Sequence, residues 1–208
     1  MIKPQKSKIH ALLLNFFLDG KFKKRFSFVN FQIDRKINAE KSLLIIGNHT
    51  TWWDGFIVWQ LNRQLLHKSF YLMMLEEQLN KLWFFKKIGC FSINPGSRTV
   101  VESLRFGAEL LKQKSTMLAF YPQGRLFSLY NEEFTFNKGI GFLLKNNVHT
   151  ELLLYCLFVD YASNEKPYMN VYLKILANPQ NLSYLDIEAA YKLFYSESKA
   201  QHVLSFKQ

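Results

Sequence analysis

No stretch of the 208-residue chain contains the roughly 18–20 consecutive apolar residues that a transmembrane helix needs. The chain has two cysteines, Cys90 and Cys156, each in an apolar run, and it has neither a Cys-x-x-Cys nor a His-Glu-x-x-His motif. We therefore expect two buried free thiols, with a disulfide between them as the alternative, and no zinc site. The absence of a Gly-x-Ser-x-Gly motif and of a Walker-type loop counts against a serine hydrolase and a P-loop enzyme.

Acidic residues are scarce, at 16 against 27 Lys and Arg residues, which gives a formal net charge of +11. Residues 1–36 contain nine basic and two acidic residues, a net charge of +7. Such a balance favours an anionic partner, either nucleic acid, anionic lipid or a phosphorylated substrate. The aromatic residues make up 16% of the chain, a surplus that suits either a packed core or contact with a lipid interface.

The basic N-terminal segment contains a short apolar run, Ala11 to Leu18, flanked by lysines and arginine. Because no small-residue cleavage site follows the run, we expect a retained segment and not a signal peptide. Residues 1–36 are predicted to be a basic amphipathic membrane-associating segment, which would place the protein peripherally on the cytoplasmic face of an anionic membrane. The alternative is a surface helix that docks on its own domain.

Residues 37–208 are predicted to form a single domain, since no repeat or Gly/Ser-rich linker interrupts them. Strand and helix patterns alternate after residue 40. Strands are predicted at 43–47, 69–74, 91–93, 116–121, 152–159 and around 171–175, and helices at 54–66, 76–87, 99–112, 138–145 and 183–200. This order predicts an α/β domain with a mixed sheet flanked by helices.

The most informative segment runs from Gly47 to Gly55, between a buried strand and a helix. Catalytic groups of open α/β folds gather at the carboxyl ends of strands, and histidine is the side chain best suited to accept a proton near neutral pH. Asp54, five residues after His49, can orient the imidazole if the chain turns before the helix begins. The alternative is a helix-capping aspartate beside a structural histidine.

This segment resembles the first block, Asn-His-x4-Asp, of the glycerolipid acyltransferase family, which contains the lysophosphatidic acid acyltransferases. Three further blocks follow in the expected order. They are Lys87-Ile88-Gly89-Cys90-Phe91-Ser92-Ile93 with the preceding Met74-Leu75-Glu76-Glu77, then Phe120-Tyr121-Pro122-Gln123-Gly124-Arg125 with Phe136-Asn137-Lys138-Gly139, and the apolar run 152–159.

The resemblance implies an O-acyltransferase of lipid metabolism that moves a fatty acyl group from acyl-CoA or acyl carrier protein to a lysolipid hydroxyl. His49 would be the general base and Asp54 its partner, with no cofactor, no metal and no nucleic acid. The substrate-binding residues that it implies are Asn48, Arg98, Gln123, Gly124, Arg125, Lys138 and Gly139. Among these, Gly124 and Gly139 can instead be turn glycines, and Arg125 a solvated charge.

Two departures from the family pattern concern the acceptor. Gln123 stands where the family usually has glutamate, and Arg125 follows Gly124 directly instead of after one more residue. The arginine usual after the second block is replaced by Asn94-Pro95, with Arg98 the nearest arginine. These changes favour a lysolipid other than lysophosphatidic acid. Two rival interpretations are a catalytically inactive lipid-binding relative and a basic nucleic-acid-binding protein.

Overall fold

A seven-stranded mixed sheet forms the centre of the structure, a computed structural model that describes residues 1–176 and 178–205. The strand order is β1-β7-β6-β2-β5-β3-β4. The strands are β1 Val29–Ile33, β2 Ser42–Gly47, β3 Ser69–Leu75, β4 Cys90–Ile93, β5 Thr116–Phe120, β6 Thr150–Asp160 and β7 Tyr168–Leu176. The α-helices are α1 Lys8–Arg25, α2 Asp54–Leu61, α3 Glu76–Lys81, α4 Val100–Leu111, α5 Gly139–Leu144 and α6 Tyr184–Leu204.

Five neighbouring strands, β6, β2, β5, β3 and β4, are mutually parallel, whereas β7 runs antiparallel to β6. All residues of β2 are buried, as expected for a parallel strand covered on both faces. The carboxyl ends of the five parallel strands therefore meet at one edge of the sheet. The loops after β2 and β5 are neighbours there, because these two strands pair directly.

Alternate side chains of the central strands serve two hydrophobic layers. Leu43, Ile45 and Ala119 pack with α1 and α2 on one face, whereas Leu44, Ile46 and Leu118 lie on the other. The second face is covered by α4, α5 and α6. The predicted single-domain α/β fold with a mixed sheet between helices is confirmed.

The predicted elements are found with small shifts at their ends, and two predicted helices change character. The helix that begins at Asp54 continues beyond Leu61 as a π-helical segment, Asn62–Leu66, and the helix that begins at Glu76 gives way to a 3-10 helix, Trp83–Ile88. The strand β1 was not predicted. It lies within residues 1–36 and pairs in parallel with β7, so it belongs to the sheet of the main domain. The predicted division after residue 36 stays a prediction.

The helix α1 packs on the domain and also leaves an apolar face uncovered. Leu14 and Leu18 are buried in the core, and Asn15 accepts a hydrogen bond from Trp59 Nε1 at 2.8 Å. The opposite side of the helix exposes large apolar side chains at helical spacing. These are Ile9, Leu12, Leu13, Phe16 and Phe17, which we call the α1 apolar face. Among the described residues, no helix is long and apolar enough to cross a membrane.

Both cysteines are free and buried, as predicted. Burial raises the pKa of the Cys156 thiol to about 12 and also raises that of Cys90. Neither thiol is therefore a reactive nucleophile in the folded protein.

Candidate active site

The predicted histidine–aspartate pair is in direct contact at the carboxyl end of β2. His49 lies two residues beyond Gly47, the end of β2, and Asp54 opens α2. The loop between them turns back, so His49 Nδ1 lies 2.8 Å from Asp54 Oδ2. The spacing of five residues thus brings the two side chains together.

Asp54 is completely buried, and both of its carboxylate oxygens accept hydrogen bonds from the loop. Oδ2 accepts from the backbone amides of Thr50, at 2.8 Å, and Thr51, at 3.1 Å, and Oδ1 accepts from the Thr51 hydroxyl at 2.7 Å. These donors satisfy both oxygens of a carboxylate that is buried away from the surface. Because the amides hold Oδ2 in place, this acceptor favours the His49 tautomer that carries a proton on Nδ1.

His49 consequently presents Nε2 as the ring nitrogen that can accept a proton. Its side chain is 27% exposed, while that of Asp54 is 0% exposed. The pair is therefore buried at the aspartate and open to a substrate at the histidine. A histidine that acts as a general base needs an accessible ring nitrogen of this kind.

Asn48 connects the loop that carries His49 to the neighbouring strand β6. Its Oδ1 accepts from the backbone amide of Leu157 at 3.1 Å, and its Nδ2 donates to the carbonyl of the same residue at 3.3 Å. Asn48 is 2% exposed. The structure gives this side chain a positioning contact with β6, and its predicted contact with substrate stays a prediction.

Gln123 lies directly beside the His49 loop, in the turn after β5. Its Oε1 accepts from the backbone amide of His49 at 3.4 Å, and the residue is 7% exposed. Its Nε2 is buried without a hydrogen-bond partner, and so is Oγ1 of the adjacent Thr50. Buried polar atoms are normally paired, so these two atoms are candidates for contact with a bound substrate.

The turn that carries Gln123 requires Gly124. Gly124 has a φ of +72°, and an added Cβ would approach Asn137 Nδ2 at 3.2 Å. Asn137 in turn donates through its backbone amide and its side chain to the carbonyl of Pro122, each at 2.9 Å. The two predicted motifs around residues 120–125 and 136–139 thus form one unit in the structure.

The remaining predicted residues lie farther from the pair. Arg125 is exposed, with its guanidinium 4.7 Å from the Phe127 ring, and the backbone amide of Phe127 donates to the His49 carbonyl at 2.8 Å. Arg98 is exposed in the loop after β4, at the same edge of the sheet. Neither arginine forms an ion pair with a described residue, so both charges are available to a substrate.

Lys138 and Gly139 do not contact His49. The Lys138 ammonium lies 6.0 Å from the ring centre of Tyr184. An added Cβ at Gly139 would meet Leu104 at 3.3 Å and Phe120 at 3.6 Å, which gives this glycine a packing role where α5 crosses α4. Their predicted part in substrate binding stays a prediction.

Three residues of the site were not predicted from the sequence. The Thr51 hydroxyl donates to Asp54. A threonine three residues before an aspartate that begins a helix is a sequence pattern that could have predicted this contact. Tyr121 stacks on the His49 ring, with ring centroids 4.2 Å apart and planes inclined by 20°. Tyr155 donates to the Tyr121 hydroxyl at 3.0 Å, and no local pattern predicts that contact. Among the described residues, no group of three or more His, Cys, Asp or Glu side chains is placed to hold a metal ion.

The fold is an α/β fold with a mixed sheet, and a buried carboxylate and an accessible imidazole are in contact where one of its parallel strands ends. The family model described as Acyltransferase matches residues 28–150, more than half of the chain. The chain belongs to this acyltransferase family, which confirms the resemblance to the glycerolipid acyltransferases. Membership implies acyl transfer between an acyl donor and a lipid. No curated protein matches the chain.

Proposed function

We propose that the protein transfers a fatty acyl group from a thioester donor, acyl-CoA or acyl carrier protein, to the hydroxyl of a lysolipid. The observation that carries the proposal is the 2.8 Å contact between His49 Nδ1 and the buried Asp54, which leaves Nε2 as the open proton acceptor. Family membership supports acyl transfer as the reaction, and the geometry of the pair supports the role proposed for each residue.

The reaction needs no acyl-enzyme intermediate. His49 Nε2 takes the proton of the acceptor hydroxyl while its oxygen attacks the thioester carbonyl carbon. The tetrahedral intermediate collapses with cleavage of the carbon–sulfur bond, and the thiolate leaves with the proton from the imidazolium. Asp54 stabilises the imidazolium between these steps.

The acceptor is a lysolipid whose head group presents hydrogen-bond acceptors to Gln123 and Thr50. A neutral amide at position 123 donates through Nε2, which a glutamate cannot do at neutral pH. Arg98 and Arg125 add two positive charges at the same edge of the sheet. Because Gln123 lies against the backbone of His49, its substitution by alanine should raise KM for the acceptor more than KM for the donor.

The test is transfer from labelled acyl-CoA and from acyl carrier protein to a panel of lysolipids with phosphate, zwitterionic and aminoacyl head groups. We expect one acceptor class to be favoured and Gln123→Ala to weaken that preference. Gln113→Ala, the same change at an exposed glutamine between α4 and β5, is the matched control. Binding of lysolipid vesicles with no transfer to any acceptor would favour the inactive lipid-binding alternative.

The α1 apolar face supports a peripheral position on an anionic membrane. Five large apolar side chains lie on one side of the helix, 47–82% exposed, and three exposed cations, Lys23, Lys24 and Arg25, form its last turn. A helix of this kind lies in the headgroup region with its apolar side toward the acyl chains. The same helix contacts the catalytic loop, since the rings of Phe22 and Trp53 are 5.4 Å apart. A lipid acceptor would then reach His49 from the membrane surface.

Sedimentation with phosphatidylglycerol and with phosphatidylcholine vesicles tests this position. Phe16→Glu should weaken binding to the anionic vesicles by at least about 10-fold, because it places a carboxylate where an apolar ring contacts lipid. Leu193→Glu, on the exposed side of α6, is the matched control. Equal binding of Phe16→Glu and Leu193→Glu would remove α1 as the membrane contact.

A further inference from the structure

Three tyrosines, of which Tyr155 and Tyr191 are buried, join the C-terminal helix to the His49 ring. Tyr191 on α6 donates its hydroxyl to the backbone carbonyl of Tyr155 at 3.0 Å. Tyr155 on β6 donates to the Tyr121 hydroxyl at 3.0 Å, and Tyr121 stacks on His49 at 4.2 Å between ring centroids. Tyr155 and Tyr191 lie beyond residue 150, outside the part of the chain that the family model matches.

We infer that Tyr121 is a positioning residue that stabilises the protonated form of His49, and that Tyr155 holds Tyr121 in place for this purpose. The inference rests on the proposed function, because protonated His49 forms when the acceptor hydroxyl is deprotonated. It adds an aromatic partner to the histidine–aspartate pair.

The stacking geometry supports the role of Tyr121 as a partner of protonated His49. The faces of the two rings lie nearly parallel, inclined by 20°, and their separation is within the roughly 6 Å over which a cation interacts with an aromatic face. The electron-rich face of Tyr121 therefore attracts an imidazolium more strongly than a neutral imidazole. An interaction that strengthens as charge develops on His49 lowers the barrier of the chemical step.

The packing around Tyr155 carries the second part. Its side chain is 1% exposed and runs against Gly47, where an added Cβ would approach the ring at 2.3 Å. Position 47 of β2 therefore has no room for a side chain beside the Tyr155 ring. Burial raises the pKa of both Tyr121 and Tyr155 well above the ordinary value, so both hydroxyls remain neutral at working pH.

The test compares Tyr121→Leu, which removes the ring, with Tyr121→Phe, which keeps it, and with Tyr155→Phe, which removes only a hydroxyl. Tyr121→Leu should lower kcat about 10-fold with an unchanged KM for the acyl donor, as expected for the loss of a cation–π contact. Tyr121→Phe should retain most of kcat. Tyr155→Phe should lower kcat about 3-fold, the size expected for one lost hydrogen bond. Tyr130→Leu, a change at a 92% exposed ring, is the control.

A second measurement does not depend on turnover. The NMR signals of the His49 ring protons should carry a ring-current shift from Tyr121 in the wild type and in Tyr121→Phe, but not in Tyr121→Leu. Folded Tyr121→Leu and Tyr155→Phe proteins with wild-type kcat would overturn the inference. So would an unmoved ring-proton signal in Tyr121→Leu. A lost ring-current shift together with no turnover in the wild type would instead overturn the proposed function, and with it the catalytic part of this inference.

Discussion

Replacing Asp54 with asparagine tests the chemistry of the site with little change in its shape. Asp54 accepts four hydrogen bonds, from His49 Nδ1, the amides of Thr50 and Thr51, and the Thr51 hydroxyl. An asparagine oxygen in the place of Oδ2 keeps the first three, and its amide nitrogen can donate to the Thr51 oxygen. We therefore expect the free energy of unfolding to fall by only about 1 kcal/mol.

The effect on the reaction should be far larger. A neutral amide carries no negative charge, so it no longer stabilises the imidazolium that forms when His49 accepts a proton. The corresponding change in a serine-protease triad lowers kcat by roughly 10⁴-fold, so we expect a loss of at least about 10²-fold for Asp54→Asn. Asp54→Ala should also lose activity, but it leaves buried donors unpaired and should cost about 3–5 kcal/mol of stability.

The assay is the initial rate of acyl transfer with saturating donor and acceptor, measured beside denaturant unfolding of each variant. We expect the asparagine variant to be stable and nearly inactive, and the alanine variant to be inactive and clearly destabilised. A stable Asp54→Asn protein that keeps more than about a tenth of the wild-type rate would refute the assigned role of the carboxylate.

Two further predictions concern stability. Gly47→Ala should destabilise the fold by about 1–3 kcal/mol in denaturant unfolding, because its Cβ would meet the Tyr155 ring at 2.3 Å; an unchanged midpoint would show that the ring moves aside freely. Burial lowers the pKa of His202 in the folded protein, an effect that nearby Asp160 opposes. As the pH falls below the ordinary histidine pKa near 6.5, the unfolded state therefore binds more protons than the folded state. The stabilisation by neutral His202 is lost as the pH falls through that range. The stability difference between the wild type and His202→Gln should accordingly shrink from pH 7.5 to pH 5.5, and a constant difference would contradict this.

The parts of the fold that were predictable depend on local patterns. The apolar run of β2 and the loop from His49 to Asp54 are contiguous in sequence, so a strand, a turn and a contact between His49 and Asp54 were predictable from them. The π-helical end of the second helix and the 3-10 helix after α3 depend on packing, which hydrophobic periodicity does not encode. The strand β1 shows alternation at Val29, Phe31 and Ile33, but its partner β7 lies about 140 residues away along the chain.

The parts of the site that were missed depend on strand order. Tyr121 and Tyr155 approach each other because β2 lies between β5 and β6, an order that no motif specifies. The same geometry places Gln123 against the backbone of His49, 74 residues earlier in the chain. Residues such as Lys138 and Gly139 matched the family pattern in sequence but lie outside contact with the pair.

The most direct test of His49 as the general base compares the acyl-transfer rate of His49→Ala with that of His149→Ala, a change at an exposed histidine away from the site. We expect His49→Ala to remain folded, since the side chain is 27% exposed, and to lose acyl transfer. The His149→Ala protein should match the wild type. A folded His49→Ala protein that transfers acyl groups at the wild-type rate would contradict the assignment of His49 as the base.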